Sequence, residues 1–133
     1  MRISRSMVDE MVAHAREEAP NECCGIVAAS EGRAVAVHRV ANAARSPFRY
    51  VMEPMEQFRV QDEIEEAGLD LGAIYHSHTR SDPVPSQTDI NLANPLFGDP
   101  LYVIVGVKAA EPDVRAFRIV DGQVSEATLE IED

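Results

Sequence analysis

The sequence predicts a single α/β domain over residues 1–133, in which a mixed β-sheet is flanked by helices. The chain has 133 residues, which is the size of one ordinary domain with one hydrophobic core. Apolar residues recur at helical spacing in two segments, and elsewhere they form the short runs or alternations that are typical of strands. Because the helix-like and strand-like segments alternate along the chain, we expect helices packed on a sheet.

The first third of the chain predicts a helix followed by a hairpin. Ser4 or Ser6 can cap a helix with an apolar stripe on one side, and Pro20 ends it. A Glu-Gly turn at residues 31–32 separates two runs of strand-forming residues. The predicted elements are therefore a short strand at 1–3, a helix to about residue 19, and strands at 24–29 and 33–40.

The middle of the chain predicts a second helix. An extended or irregular segment, 42–52, precedes Pro54, which suits the first turn of a helix. This helix runs to about residue 67, with Phe58 and Ile64 facing inward, and Gly68 is its expected C-cap.

The segment 69–78 has apolar residues on both faces, which predicts a central strand. We expect Leu71, Ala73 and Tyr75 on one face and Ile74 on the other, because side chains alternate along a strand. The remaining predicted elements are a polar loop at 79–85, a short helix from Ser86 to near Pro95, a strand at 101–107, and a final hairpin formed by strands at 114–120 and 123–131.

Composition excludes several classes of function. The formal net charge of −11 argues against nucleic-acid binding, which needs a basic surface. No apolar run approaches the ~20 residues that span a membrane, and none follows the basic N-terminus as in a signal peptide. The only cysteines, Cys23 and Cys24, are adjacent and cannot join distant segments. We expect a protein of the reducing cytoplasm, with both cysteines packed as small apolar side chains.

The residues that most strongly indicate a functional site lie at and after the end of the predicted central strand. His76 and His78 are two apart, so they point to the same side of a strand and can bind one metal ion. Asp89 follows after a loop long enough to bring it back as a third ligand. Two histidines and one carboxylate leave a fourth position open, as in catalytic zinc sites.

Simpler interpretations exist for each part of this pattern. A His-x-His pair alone is only suggestive, and Ser86 with Asp89 is also a helix capping box. His14 and His38 have no partner by spacing, so we interpret them as structural or exposed. Iron oxygenases also use two histidines and a carboxylate. The two patterns together favour a metal site, in which the capping box can still form.

The run from His76 to Asp89 resembles the signature of the JAMM (MPN+, JAB) metalloproteases: His-x-His, seven residues, Ser, two residues, Asp. His76, His78, Ser86 and Asp89 match its four fixed positions, and Glu22 stands where the family carries a glutamate. The resemblance covers essentially the whole chain. It implies the MPN fold, which is similar to that of cytidine deaminases, and one Zn²⁺ per chain.

The resemblance also implies a mechanism and a partner. Glu22 is the expected general base, and Ser86 is expected to stabilise the oxyanion together with the zinc. The short segments 20–25 and 42–47 are similar to those of Mec-type peptidases, which release cysteine from the Gly-Gly tail of a ubiquitin-like (β-grasp) sulfur-carrier protein. We expect such a carrier as partner and candidate grooves at 46–52 and 79–84. We also consider that the protein forms a homo-oligomer.

Three alternatives remain at this point. The first is an isopeptidase that removes a ubiquitin-like modifier from lysines. The second is a RadC-like protein associated with DNA repair, against which the acidic balance and the context of Glu22 count. The third is a non-catalytic MPN scaffold, although such scaffolds have usually lost a ligand and none is missing here.

Overall fold

The computed structural model describes residues 1–93 and 98–133, in which three helices flank an eight-stranded sheet. Apart from the last predicted strand, the predicted helices and strands are confirmed with small shifts at their ends. The strands are β1 (Arg2–Ser4), β2 (Cys24–Ser30), β3 (Arg33–Val40), β4 (Asp70–His78), β5 (Leu101–Gly106), β6 (Asp113–Val120), β7 (Gln123–Ala127) and β8 (Glu130–Glu132), and the helices are α1 (Arg5–Glu18), α2 (Pro54–Glu66) and α3 (Gln87–Leu92).

The sheet is mixed, as predicted, with the strand order β7-β6-β5-β4-β2-β3-β1-β8. β4 is parallel to β5, β1 is parallel to β3 and β8, and the other neighbours are antiparallel. β7 and β8 lie at opposite ends of this order although only two residues separate them along the chain. The sheet must therefore curl so that its two ends approach each other.

Two hydrophobic clusters lie on opposite faces of the sheet. On the α1 face, α1 residues such as Met11 pack with Tyr75 and Val103. On the α2 face, Val60 and Ile64 of α2 pack with Ile74. Side chains at 74, 76 and 78 share one face of β4, so the predicted metal ligands project on the α2 side.

Three details of the sequence prediction are wrong. Leu71 packs with Ile74 on the α2 face, because a β-bulge in the β2–β4 pairing reverses the alternation of β4 there. Phe58 is 66% exposed, since Val60 and Ile64 form the buried stripe and a residue two positions from Val60 points away from it. The predicted strand 123–131 divides into β7 and β8, because its last residues pair with β1 and pack Ile131 against the α1 face.

The predicted helix ends are close to those observed. Ser4 caps α1 by accepting a hydrogen bond from the backbone N–H of Met7. α2 has Ala67 as its cap residue, and Gly68 follows in the left-handed conformation with φ of 71°. α3 ends at Leu92, and the predicted end near Pro95 lies outside the described residues. Within 1–93 and 98–133, no helix is long and apolar enough to cross a membrane.

Candidate metal centre

The two predicted histidine ligands meet at the carboxyl end of β4. His76 and His78 are both buried, and their Nε2 atoms lie 3.2 Å apart. β4 is a central strand, paired with β2 on one side and β5 on the other. The strand therefore fixes the separation of the two rings, as the His-x-His spacing predicts.

α3 brings the third predicted ligand to the same point. Asp89 is buried, and its two carboxylate oxygens lie 3.2 Å from His76 Nε2 and 3.0 Å from His78 Nε2. The Ser86 hydroxyl accepts a hydrogen bond from the Asp89 N–H, and the Asp89 carboxylate accepts one from the Ser86 N–H. This capping box holds both side chains in place, so the structural and chemical interpretations of the motif coexist.

The three side chains fit a metal ion of the size and preference of zinc. Their ligand atoms all lie within 4.8 Å of one another, and the closest pairs are separated by 3.0–3.2 Å. Ligand atoms around a tetrahedral zinc lie about 3.3 Å apart, since the bonds to nitrogen and oxygen are roughly 2.0–2.2 Å long. Three protein ligands leave a fourth coordination position for water or substrate.

Neighbouring groups orient the two imidazoles. The Nδ1 atom of His78 lies 2.8 Å from the carbonyl oxygen of Asp82, which favours the tautomer with Nε2 free towards the ligand cluster. The ring of Tyr50 stacks on that of His76 with a centroid distance of 4.6 Å and an interplanar angle of 25°. Tyr50 thus covers one face of the His76 imidazole.

Burial and mutual charge shift the pKa values of the cluster. Burial is the main reason that the pKa of His76 lies below its ordinary value. Burial also opposes charge on His78, but hydrogen bonds to Asp89 and to the Asp82 carbonyl outweigh it and raise its pKa. Burial likewise opposes ionisation of Asp89, yet its contacts with the two histidines hold its pKa well below the usual range. An ionised carboxylate beside two imidazoles is the protonation state that suits a metal ion.

Glu22 lies two residues before Cys24, which pairs with His76 of β4. Its side chain is buried, and Oε1 makes no hydrogen bond within the described part of the chain. Burial raises its pKa to about 8, with the charge of His78 lowering it and that of Asp89 raising it. These interactions place the carboxyl group within electrostatic reach of two of the three ligands. A carboxyl group with a pKa near neutrality is suited to general acid–base work.

Long-range hydrogen bonds hold the backbone of Glu22 in position. Ser77, between the two histidines, accepts a hydrogen bond from the Cys23 N–H on its hydroxyl, and its own N–H donates to the Cys23 carbonyl. The Glu22 N–H donates to the Ser46 carbonyl, and the Asn42 side chain donates to the Glu22 carbonyl. Glu22 is therefore fixed between β4 and the segment 42–52.

Sequence reasoning did not identify Tyr50, Ser77 or Asn42 as parts of this site. None belongs to the spacing motif, and their contacts arise only when separate segments meet. The candidate groove at 46–52 contains Tyr50, and this was the available signal for it. Asn42 organises the segment 42–52, because its side-chain oxygen accepts hydrogen bonds from the N–H groups of Ala44 and Val51.

The two cysteines and the two remaining histidines lie in surroundings that indicate structural roles. Cys23 and Cys24 are free and buried, and burial raises the pKa of the Cys23 thiol to about 12, so neither resembles a reactive thiolate. His14 has a partner that its spacing did not reveal: its Nδ1 lies 2.8 Å from the buried Tyr75 hydroxyl. His38 pairs with Ile26 across the β2–β3 hairpin.

The chain belongs to the family of prokaryotic homologues of the JAB domain, which its residues 4–120 match. The fold and the His–His–Asp cluster described above agree with this membership. The resemblance found in the sequence is therefore confirmed.

Sequence similarity to proteins of known name extends over more than half of the chain. A CysO-cysteine peptidase of Mycobacterium tuberculosis is 38% identical over 97% of this chain and 89% of its own length. A desampylase of Haloferax volcanii is 46% identical over 61% of this chain and 63% of its own length. A probable TtuB-protein conjugate cleaving protease of Thermus thermophilus is 34% identical over 91% of this chain and 77% of its own length.

Solved structures share the fold. The solution structure of a protein from Desulfitobacterium hafniense matches 99% of this chain and 92% of its own with a TM-score of 0.88 and 27% identity. A JAB1/MPN domain protein from Archaeoglobus fulgidus matches all of both chains with a TM-score of 0.66 and 19% identity. The fold is thus that of JAB/MPN domains, as the resemblance implied.

Proposed function

We propose that this protein is a zinc metallopeptidase that cleaves the amide bond after the Gly-Gly tail of a ubiquitin-like sulfur-carrier protein and releases cysteine. One observation carries the chemical part of this proposal. The buried cluster of His76, His78 and Asp89 lies within electrostatic reach of the buried Glu22 carboxyl group, whose Oε1 has no hydrogen bond among the described residues. The set combines metal ligands with a proton acceptor, which is what metal-assisted amide hydrolysis requires.

His76, His78 and Asp89 are the proposed zinc ligands. Zinc bound there would lower the pKa of a coordinated water to about 7 and would polarise the carbonyl group of the substrate. Among the described residues, this is the one cluster of His, Cys, Asp and Glu side chains whose ligand atoms are placed to hold a metal ion.

Glu22 is the proposed general base. Its Oε1 atom has no competing hydrogen bond in the described chain, so it can accept the proton of the attacking water. The same carboxylic acid can then deliver that proton to the leaving amine. Its pKa, raised to about 8 by burial, keeps the proton exchangeable near neutral pH.

Ser86 is the proposed oxyanion donor. Its oxygen accepts the Asp89 N–H in the capping box, which leaves the hydroxyl hydrogen free to donate. The side chain is exposed although its neighbour Asp89 is buried, so a substrate carbonyl can reach it. Loss of one such donor typically reduces the rate ~10²–10³-fold.

The proposed substrate follows from the relatives. The likeness to the CysO-cysteine peptidase extends over nearly the whole chain, which favours a carrier protein ending in cysteine. The desampylase has higher identity over a shorter region, so cleavage of lysine-linked conjugates is the second candidate. The complete ligand set and the acidic charge do not favour a scaffold or a DNA-binding, RadC-like function. The free thiols of Cys23 and Cys24 suit a reducing cytoplasm.

The test uses the zinc-loaded protein and two conjugates of one ubiquitin-like carrier. One carrier ends in Gly-Gly-Cys, and the other is joined through its Gly-Gly tail to the ε-amine of a lysine. Mass spectrometry should show release of cysteine from the first, with about one zinc bound per chain. Full activity in metal-free protein would overturn the proposal, and cleavage of the lysine conjugate alone would replace it with the second candidate.

A further inference from the structure

Arg80 is a cation on the loop that follows the proposed metal ligands. It lies two residues beyond His78, so the two Cα atoms are at most about 7 Å apart. Lys108 also contacts this loop, and it forms an ion pair with Asp82 at 2.9 Å. Among the described residues, the Arg80 guanidinium has no carboxylate partner, although the chain carries a net charge of −11.

An aromatic ring holds Arg80 in place. Its guanidinium carbon lies 5.4 Å from the centroid of the Phe48 ring and over its face, which is a cation–π contact. Phe48 is 68% exposed and lies two residues before Tyr50, which stacks on His76. The Arg80–Phe48 contact therefore joins the two segments that border the ligand cluster.

This arrangement leaves the binding capacity of the guanidinium unused. Stacking occupies one face of the group, whereas its five N–H donors lie in its plane and point outwards. Such a planar set matches the two oxygens of a carboxylate, and it forms the bidentate pairs that are the strongest charge-assisted hydrogen bonds. The Arg80 guanidinium can therefore still pair with a carboxylate that reaches this loop.

We propose that Arg80, positioned by Phe48, binds the α-carboxylate of the residue that the enzyme releases. This inference rests on the proposed function, since only a leaving residue at the chain terminus carries a free carboxylate two bonds from its amide nitrogen. In a conjugate linked through a lysine side chain, uncharged methylenes occupy that position. Arg80 is thereby the residue that favours release of a terminal amino acid over cleavage of an isopeptide.

The test compares two forms of one substrate that differ in a single charge. A ubiquitin-like carrier ending in Gly-Gly-Cys is prepared as the free acid and as the carboxamide. We expect wild-type protein to cleave the acid with a kcat/KM about tenfold higher, the size expected for one partly exposed charge-assisted pair. R80Q should lose this preference, and R80K should retain part of it because a point charge replaces the planar donor set.

The positioning role of Phe48 has its own variants. F48L should reduce the preference for the acid, whereas F48Y should preserve it because the aromatic face remains. R49Q is the matched control, since Arg49 is an exposed arginine of the same segment whose side chain makes no ion pair among the described residues; it should keep the wild-type ratio. Melting temperatures measured in parallel show whether each variant is folded.

The possible results separate this inference from the proposed function. Equal cleavage of acid and carboxamide by the wild-type protein would overturn the role of Arg80 alone. An unchanged ratio in R80Q would do the same. Failure of the zinc-loaded wild-type protein to cleave either form would overturn the proposed function and this inference with it.

Discussion

Glu22 has an environment that differs from that of an ordinary surface carboxylate. It is buried and lacks a hydrogen bond at Oε1 within the described residues. Burying a carboxyl group without a hydrogen-bond partner costs stability, because the charged form loses its hydration. This environment supports the proposal that Glu22 is the general base.

Replacing the Glu22 carboxyl group tests whether catalysis can be lost while metal binding is retained. We expect E22Q to retain zinc, because the three ligands are untouched, and to lose ~10²–10⁴-fold in kcat, the usual contribution of a general base. H76A should lose both zinc and activity. E66Q, at an exposed position on α2, is the control and should behave as wild type. Zinc content and turnover of the carrier substrate are measured together, and an E22Q variant of normal activity would remove Glu22 from the mechanism.

The raised pKa of Glu22 predicts how stability varies with pH. Between its ordinary value of 4.5 and about 8, the unfolded chain is ionised at Glu22 whereas the native protein keeps the proton. The native state then binds more protons, so the free energy of unfolding falls as pH rises through this range. In metal-free E22Q this pH-dependent change in the free energy of unfolding should be absent. Urea unfolding of both proteins from pH 5.5 to 8.5 checks it, and parallel profiles would contradict the prediction.

At the scale of single elements, α3 is a short helix whose start carries two roles. Ser86 caps it, and the same capping box orients Asp89 towards the histidines. Under the proposed function, stability and chemistry are coupled here, since the cap residue Ser86 is also the proposed oxyanion donor. A substitution at Ser86 therefore has to be chosen so that the two roles can be distinguished.

S86A removes both the cap and the hydroxyl donor. We expect a loss of about 1 kcal/mol in the free energy of unfolding, together with a loss of activity. S86D keeps an oxygen that can accept the Asp89 N–H but has no hydrogen to donate when ionised. It should recover stability and remain inactive. If S86D instead regains activity, the hydroxyl hydrogen is not required.

The pairing of β2 with β4 depends on a glycine. Gly25 lies opposite Tyr75, and a Cβ atom there would be 2.2 Å from Tyr75 Cε1 and 2.5 Å from the His38 carbonyl oxygen. β2 is held on both sides, so its backbone cannot move away. The close approach requires a residue without a side chain.

We expect G25A to destabilise the protein by about 2 kcal/mol or more, because the added methyl overlaps a buried ring and a backbone oxygen. G122A provides the comparison. Gly122 has open space around it, so its cost of about 1 kcal/mol comes only from its φ of 76°. Urea unfolding ranks the two variants, and a G25A protein as stable as wild type would contradict the packing argument.

At the scale of the whole molecule, the candidate metal centre connects elements that are distant in sequence. β4 carries two of the proposed ligands and α3 carries the third, while Glu22 precedes β2. A metal ion that binds only the native arrangement should stabilise it, since the unfolded chain does not hold the ligands together.

Zinc should therefore raise the melting temperature. At a free zinc concentration 100-fold above Kd, the free energy of unfolding increases by about 2.7 kcal/mol. Chelation with EDTA should reverse the shift, and H78A should not show it. H38A, which changes a half-buried histidine of β3, should respond to zinc as wild type does. Equal shifts in H78A and wild type would place the zinc elsewhere.

The sequence alone determined the features that depend on local geometry. Alternation along a strand places His76 and His78 on one face, and a capping box links Ser86 to Asp89 over three residues. Both follow from backbone periodicity, so no distant contact is needed to predict them. The same holds for the stripe of α1 and for the Pro54 start of α2.

Only the tertiary structure decided the features that depend on distant pairing. The register of β2 on β4 sets Cys24 opposite His76 and so brings Glu22 to the ligands, and the bulge in that register moved Leu71 to the other face. The stacking of Tyr50 on His76 and the pairing of β8 with β1 also join segments that are far apart in the chain. These contacts form because they bury apolar surface and satisfy backbone hydrogen bonds between segments far apart in the chain, and no local pattern encodes which segments will meet.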